Sequence, residues 1–505
     1  MRSKKALLNI ITALLLQIVV ITCGFIVPRM IIGIFGSSVN GLLESITQFL
    51  AFITLLESGF GPVVKSMLYK PIARKDKGEI ENILRASERF FRNIAKIFLI
   101  YLVILCVIYP FMVISEFDYG FTVSLLLIMA ISTFAEYYFG MTYRLYLQAE
   151  QKTYITSLIQ MVTVILNTMA IVVLIYFGAS IQAVKIITAI ISVLRPILQN
   201  IYVKKKYNIN LKKANREVDI KQKWDGLAQH KAAVVHNNTD VAILTLFSNT
   251  IQVSIYAVYM LVVKGVKSLV SAFTDGIDAS FGDMLARGEK EQLNKSFKVY
   301  ELFFFTINTI IFTSTMILIV PFVGVYTKGI TDANYIVPIF GTLIVLAEFM
   351  HSIRLPYSSI TLAAGHFKET MKGAWIEAGV NIILSTILVI NFGIVGVAIG
   401  TLVSMFIRTI EFMYHTSKYI LERSMLYTFF RLIVILVEVL IIVGITYLIG
   451  FKFANNYMDW LMYALIIGII STLVVGTINL IVYHNETKGL MDMLKRMLKN
   501  DKEHA

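Results

Sequence analysis

Residues 6–63 read ALLNIITALLLQIVVITCGFIVPRMIIGIFGSSVNGLLESITQFLAFITLLESGFGPV, two apolar runs, 6–34 and 39–63, separated by a turn at Gly36. A helix needs roughly 20 apolar residues to cross the ~30 Å hydrocarbon layer of a bilayer. Hydrocarbon offers no partner to a bare N–H or C=O, so each run must close its own hydrogen bonds, which a helix does. Further runs at 94–114, 120–145, 154–177, 181–202, 225–247, 251–274, 301–325, 335–363, 374–390, 394–414, 432–450 and 459–483 repeat the pattern. The chain reads as an all-α integral membrane protein of about 14 transmembrane helices. Spans two, seven and eight are amphipathic, and spans eleven and twelve are separated only by Asn391-Phe392-Gly393, so a twelve-span reading is the nearest rival.

Composition agrees. Over 505 residues, 57% are hydrophobic and 15% charged, and the mean hydropathy is +0.74, too apolar for a soluble domain. The net charge of +14 is explained by where it sits. Arg2, Lys4 and Lys5, the set from Lys65 to Arg92, the set from Lys204 to Lys223, then Arg287 to Lys298, Lys368 and Lys372, Lys418, Arg423 and Arg431, and finally the tail occupy alternate loops. The loops between them are nearly bare of Lys and Arg, with Lys328 and Lys452 the exceptions. The positive-inside rule then places both termini in the cytoplasm. This excess is an orientation signal, and no nucleic-acid motif accompanies it.

Several function classes are disfavoured. No connection exceeds about 30 residues and no Gly-x-x-x-x-Gly-Lys-[Ser/Thr] loop occurs, so there is neither room nor motif for a nucleotide-driven pump. A membrane polymerase or ligase needs an extramembrane domain and an acid/base constellation near the outer face; neither is evident, and the chain reads as a non-enzyme with no catalytic residues. Cys23 and Cys106 fall inside spans and imply neither a disulfide nor a metal site. No cofactor is expected; coupling to H+ or Na+ is left open. The apolar N-terminal run continues past any cleavage point of a signal peptide, which favours an uncleaved first helix.

The organisation is two halves with an addition: a six-helix lobe (1–203), a basic linker (204–223), a second six-helix lobe (224–416), an extra transmembrane pair (417–485) and an amphipathic tail (486–505). Each half opens with its most polar pair of helices, as expected where helices line a water-filled cavity between repeats. Glu44, Gln48, Glu57 and Ser58 make a polar stripe on span two. His236, Asn237, Asn238 and Asp240 do so on span seven, and span eight adds Lys264 and Lys267. Ionisable groups inside a span are costly and default to function. Polar-cavity or coupling candidates are therefore Glu44, Glu57, Glu136, His236, Asn237, Asp240 and His351, with Glu348, His351 and Arg354 stepping by threes along span ten. His236 and Asp240, one turn apart, form a candidate proton-responsive pair. The competing reading is that many of these groups pair with one another, Arg29 with Glu44 among them. Lys96, Lys185 and Arg195 read as snorkelling or packing residues.

Pro28-Arg29 through Phe35-Gly36-Ser-Ser-Val-Asn-Gly-Leu42, Leu55-Leu-Glu-Ser-Gly-Phe-Gly-Pro62, Leu68-Tyr-Lys-Pro71 and the segment Ala228-Gln-His230 to His236-Asn-Asn-Thr-Asp240 resemble the opening of each half of Wzx-type polysaccharide-biosynthesis flippases. These belong to the multidrug/oligosaccharidyl-lipid/polysaccharide (MOP) exporter superfamily. The resemblance implies MATE-like architecture, two six-helix lobes plus a C-terminal helix pair, in a bacterial cell membrane. It also implies alternating access without ATP and a cargo of undecaprenyl-pyrophosphate-linked oligosaccharide moved from inner to outer leaflet, with membrane lipid and polysaccharide-assembly proteins as partners. A pyrophosphate entering a low-dielectric cavity is stabilised by charge-assisted hydrogen bonds from Arg or Lys. Arg29, matching a basic position in the first helix of related flippases, and Lys264, Lys267 and Arg354, by depth and charge, are the anionic-headgroup candidates. The rivals are a cation-coupled MATE-type drug exporter, whose cavity would be dominated by carboxylates, a peptidoglycan lipid-precursor flippase, and the polymerase or ligase above.

Overall fold

A computed structural model describes residues 2–57, 59–211, 218, 224–271, 277–450 and 454–489. Its α-helices are α1 (Arg2–Phe35), α2 (Ser37–Ala51), α3 (Thr54–Glu57), α4 (Phe60–Arg74), α5 (Lys77–Met112), α6 (Tyr119–Ala135), α7 (Met141–Ala149), α8 (Thr153–Tyr176), α9 (Ile181–Tyr207) and α10 (Trp224–Phe247). They continue as α11 (Thr250–Ser271), α12 (Ile277–Ala286), α13 (Lys290–Tyr326), α14 (Pro338–Ile353), α15 (Leu355–Ala363), α16 (Phe367–Phe392), α17 (Ile394–Tyr419), α18 (Met425–Ile449) and α19 (Tyr457–Val482). Among the described residues twelve stretches are long and apolar enough to span a membrane. One of them, Phe367–Tyr419, holds both α16 and α17; counting these separately and adding the more polar α10 brings the total to fourteen. The tail beyond residue 489, most of the 204–223 linker and Ser58 lie outside the described residues.

The helix starts are written locally. Asp76 accepts from Glu79 N at 3.0 Å at the head of α5, Asp118 from Gly120 N at 2.9 Å at α6, and Asn456 from Asp459 N at 2.9 Å at α19. Each satisfies an N–H that the first turn leaves bare.

Three expected single spans are interrupted. The second stops at Ala51, resumes for one turn as α3, and passes Gly59 at φ 80° before α4; that left-handed backbone suits glycine and ends the run. The fourth carries a π-helical turn, Glu136–Gly140, between α6 and α7. The tenth breaks at Arg354, just before Pro356, which has no N–H to donate.

The chain divides into two compact units, Met1–Ala257 and Val258–Ala505. In the first, α1 packs on α8, α8 and α6 on α9, α5 on α6, and α10 on α2, around a core that includes Leu42, Ile46, Leu84, Phe98, Leu125 and Leu126. Gly41 meets the main chain of Thr250, a position with no room for a Cβ. In the second, α16 and α17 form a tight hairpin at Gly393 (φ 52°), α14 packs on α17, and α13 packs on α14, α18 and α19. Gly396 lies against Leu388 and Gly400 against Ser385, again without space for a Cβ; small residues four apart let two helix backbones meet. Faces such as Ile100, Val103 and Phe111 on α5 or Leu436 and Leu440 on α18 remain exposed, as lipid contact requires.

Candidate functional site: buried ion pairs and a half-open carboxylate cluster

In the first unit the π-turn is the centre of the chemistry. Such turns occur frequently at functional sites, because the extra residue re-aims side chains. Gly140, in this turn, sits against Pro196 of α9. The turn sends Tyr137 OH to Glu57 Oε2 at 2.9 Å and places Glu136 between two arginines: Arg144 Nη1 reaches Oε1 at 2.9 Å and Arg195 Nη2 reaches Oε2 at 3.0 Å. Both arginine side chains keep about a third of their surface, 34% and 31%. Glu57 and Glu136 are thus brought into one cluster, Glu57 through Tyr137 of the turn and Glu136 through its two arginines. The expectation for Arg195 differs from the structure: it is an ion-pair partner and not a packing residue. Arg144 was not singled out from the sequence at all.

The remaining candidates of this unit are dispersed. Arg29 is half-buried beside Gly33, whose missing side chain leaves room for the guanidinium, a Cβ there lying 3.2 Å from Nη1. Glu44 is half-buried and acts electrostatically on Lys185. His236 and Asp240 are both buried. Asp240 accepts from Tyr256 OH at 3.0 Å, and His236 Nδ1 has no hydrogen-bond partner among the described residues. The side chain of Asn237 is outside the described residues.

In the second unit most of the charge is self-matched. Arg354 donates to Glu377 Oε1 at 2.5 Å. Glu377 also lies 3.7 Å from Arg408 Nε, and Arg408 donates to Glu411 at 2.5 Å and to the Thr370 carbonyl at 2.7 Å. Lys267 pairs with the buried Glu348 at 3.0 Å. Lys264 is exposed and His351 half-buried. Of the two lysines proposed for an anion, Lys264 is therefore the more accessible.

A second hub lies where the added helix pair meets the lobe. Glu301, 0% exposed, receives Arg423 through two nitrogens, at 2.5 and 3.0 Å, and Arg431 at 3.2 Å, while Tyr357 OH donates to the same carboxylate. Arg431 also donates to Tyr427 OH at 2.6 Å. Burial works against the charge of Arg423, but Glu301 outweighs it and holds the guanidinium above its ordinary range. Arg423 and Arg431, counted from the sequence among the loop cations that set orientation, are structural partners of a buried carboxylate. Among the described residues no group of three or more metal-ligating side chains occurs.

No protein-family model and no curated protein matches the chain. Solved structures do. The chain is similar to the lipid II flippase MurJ in an inward closed conformation, with 15% identity, 95% of this chain and 99% of that chain covered, and a TM-score of 0.69. It is similar to an inward-facing multidrug-resistance MATE transporter, with 13% identity, coverage of 81% and 97%, and a TM-score of 0.63. It is also similar to a MOP-superfamily transporter from Pyrococcus furiosus described by the reverse polarity of its binding pocket, with 13% identity, coverage of 84% and 95%, and a TM-score of 0.55. The chain therefore has the all-helical membrane fold shared by the flippases and transporters of the MOP superfamily.

Proposed function

We propose that this protein is a flippase that moves an undecaprenyl-pyrophosphate-linked oligosaccharide from the inner to the outer leaflet of a bacterial cell membrane for surface-polysaccharide assembly, with both termini cytoplasmic. The observation that carries the reading is the extent of the fold likeness. The lipid II flippase matches 95% of this chain, whereas the MATE transporter, itself 97% covered, accounts for 81%. The difference has about the size of α18, α19 and their flanks, and a lipid cargo gives a membrane carrier a use for helices beyond the twelve-helix frame. The charge balance agrees: Arg29, Arg144, Arg195, Lys264 and Lys267 keep partial or full exposure, and Arg144, Arg195 and Lys267 can exchange a protein carboxylate for a pyrophosphate oxygen. Arg354, buried against Glu377, is less able to do so.

The likeness to the lipid II flippase also favours a second reading, in which the cargo is a peptidoglycan lipid precursor. Both are tested by reconstituting the full chain in liposomes with fluorescent lipid-linked oligosaccharide, lipid II or an organic cation, and following each to the opposite leaflet or lumen. Transfer of the oligosaccharide lipid, reduced by Arg29→Ala with Lys264→Ala, supports the proposal. Transfer of lipid II alone selects the second reading, and movement of the organic cation alone overturns both.

A further inference from the structure

α18 carries one carboxylate, Glu438, in the middle of an otherwise apolar stretch, Leu432-Ile-Val-Ile-Leu-Val-Glu438-Val-Leu-Ile-Ile-Val. Its flanks Leu436, Val437, Leu440 and Ile441 are exposed, yet Glu438 itself is 2% exposed: it turns away from the lipid face and into the packing of α13, α18 and α19. There it borders a cavity of about 10 Å³, also lined by Thr306 of α13, Arg431 of α18, and Asn479 and Tyr483 at the end of α19. That volume is close to one water-sized sphere.

The polar atoms around this cavity do not satisfy one another. Among the described residues Glu438 Oε1, Tyr483 OH and the Arg431 Nε and Nη1 atoms are buried without a hydrogen-bond partner. Asn479 Nδ2 donates to Thr306 Oγ1 at 2.9 Å. The cation that also borders the cavity, Arg431, directs Nη2 to Tyr427 OH and the Lys298 carbonyl and Nη1 to Glu301 at 3.2 Å, and forms no ion pair with Glu438. Among the described residues no basic side chain forms an ion pair with Glu438. A bare carboxylate at this depth, with an unpartnered oxygen, is costly by more than the surrounding contacts return. It needs a small cation of its own.

The geometry points to a monovalent-cation site at Glu438, occupied by a proton or by Na+, in which the carboxyl is the charged ligand and the oxygens of Tyr483, Thr306 and Asn479 are the neutral ones. A site of one-sphere size with oxygen donors from three helices suits either occupant and excludes a hydrated or polyatomic one. Cation occupancy there ties α18 and α19 to α13, so loading and release change how firmly the added pair is held. This inference rests on the transporter reading for its use, as a coupling-ion site, but not for its existence.

Binding is measured without cargo. Purified full-length protein and Glu438→Gln are compared by infrared difference spectroscopy over a pH series and by radioactive-sodium binding in NaCl against choline chloride. If the occupant is a proton, wild type shows a carboxylic-acid carbonyl band that disappears at high pH and is absent from the variant. If it is Na+, bound sodium falls by one site per chain in the variant and the carboxylate bands of wild type shift with NaCl. A carboxylate signal at Glu438 that responds to neither overturns the site. Glu438→Asp, which keeps the carboxyl, is measured beside Glu438→Gln, so that a glutamine variant that folds poorly does not decide the result. Failure of oligosaccharide-lipid transfer with either binding signature intact removes the proposed cargo and leaves the site standing; the signatures missing while transfer proceeds does the reverse.

Discussion

Two charged clusters, one in each unit, are built from the same side chains and differ in what surrounds them. At the π-turn of the first unit, Glu136 is shared by Arg144 and Arg195, whose side chains are 34% and 31% exposed. In the second unit, Glu301 is shared by Arg423 and Arg431, exposed by 9% and 1%. Solvent screening makes a half-open pair cheap to break, while removing one partner of a closed pair strands a charge in low dielectric. On the proposed function the first cluster is the one that could trade its carboxylate for a ligand, while the second joins α18 to the rest of its unit. Composition does not separate the two; exposure does.

The sharpest way to break that comparison is Glu301→Gln, which leaves two buried guanidiniums facing a neutral amide. Stability should fall by about 3–5 kcal/mol, read as thermal or denaturant unfolding in detergent; a loss under about 1 kcal/mol would show that the hub is not closed. Next in size is Gly396→Ala, where the new Cβ has to displace the Leu388 main chain. Overpacking of this kind costs roughly 1–3 kcal/mol, and an unchanged melting profile would mean the α16–α17 hairpin is looser than its geometry.

Arg144→Ala and Arg195→Ala sharpen the other side. Each should lower stability by no more than about 1 kcal/mol, yet reduce transfer of lipid-linked oligosaccharide by about tenfold, equivalent to roughly 1.4 kcal/mol of headgroup binding. Equal loss of stability and transfer would return the cluster to a structural role. Lys264→Ala, which strands no carboxylate among the described residues, should leave stability within about 0.5 kcal/mol, and its effect should be confined to transfer.

The membrane architecture was legible because hydrocarbon enforces it. Runs of sufficient length, the Gly393 turn between spans eleven and twelve, and the added pair at the end could all be read directly. The carboxylates of the first cluster were also legible, since Glu57 and Glu136 stand out in apolar surroundings. Their partners were not. Arg144 lies at the inner end of the run 120–145 among polar and aromatic residues, and Glu377 and Arg408 of the second unit belong to two helices whose register across the hairpin no local pattern states. Glu438 is a different kind of omission: its signal, one carboxylate among twelve residues of apolar helix, was present in the sequence and is the sort of residue that defaults to function.

What this chain's sequence determined by itself is its all-helical membrane character, the order of its spans and the alternation of its basic loops, because burial of backbone polar groups and loop charge act locally along the chain. Only the tertiary structure decided that Arg354 faces Glu377, that Arg423 and Arg431 converge on Glu301, and that Glu438 turns inward to a cavity the size of one small ion. Each of these depends on the rotation of one helix against another, and that rotation is settled by close packing, through contacts such as Gly400 on Ser385 and Gly41 on Thr250, between residues distant in sequence.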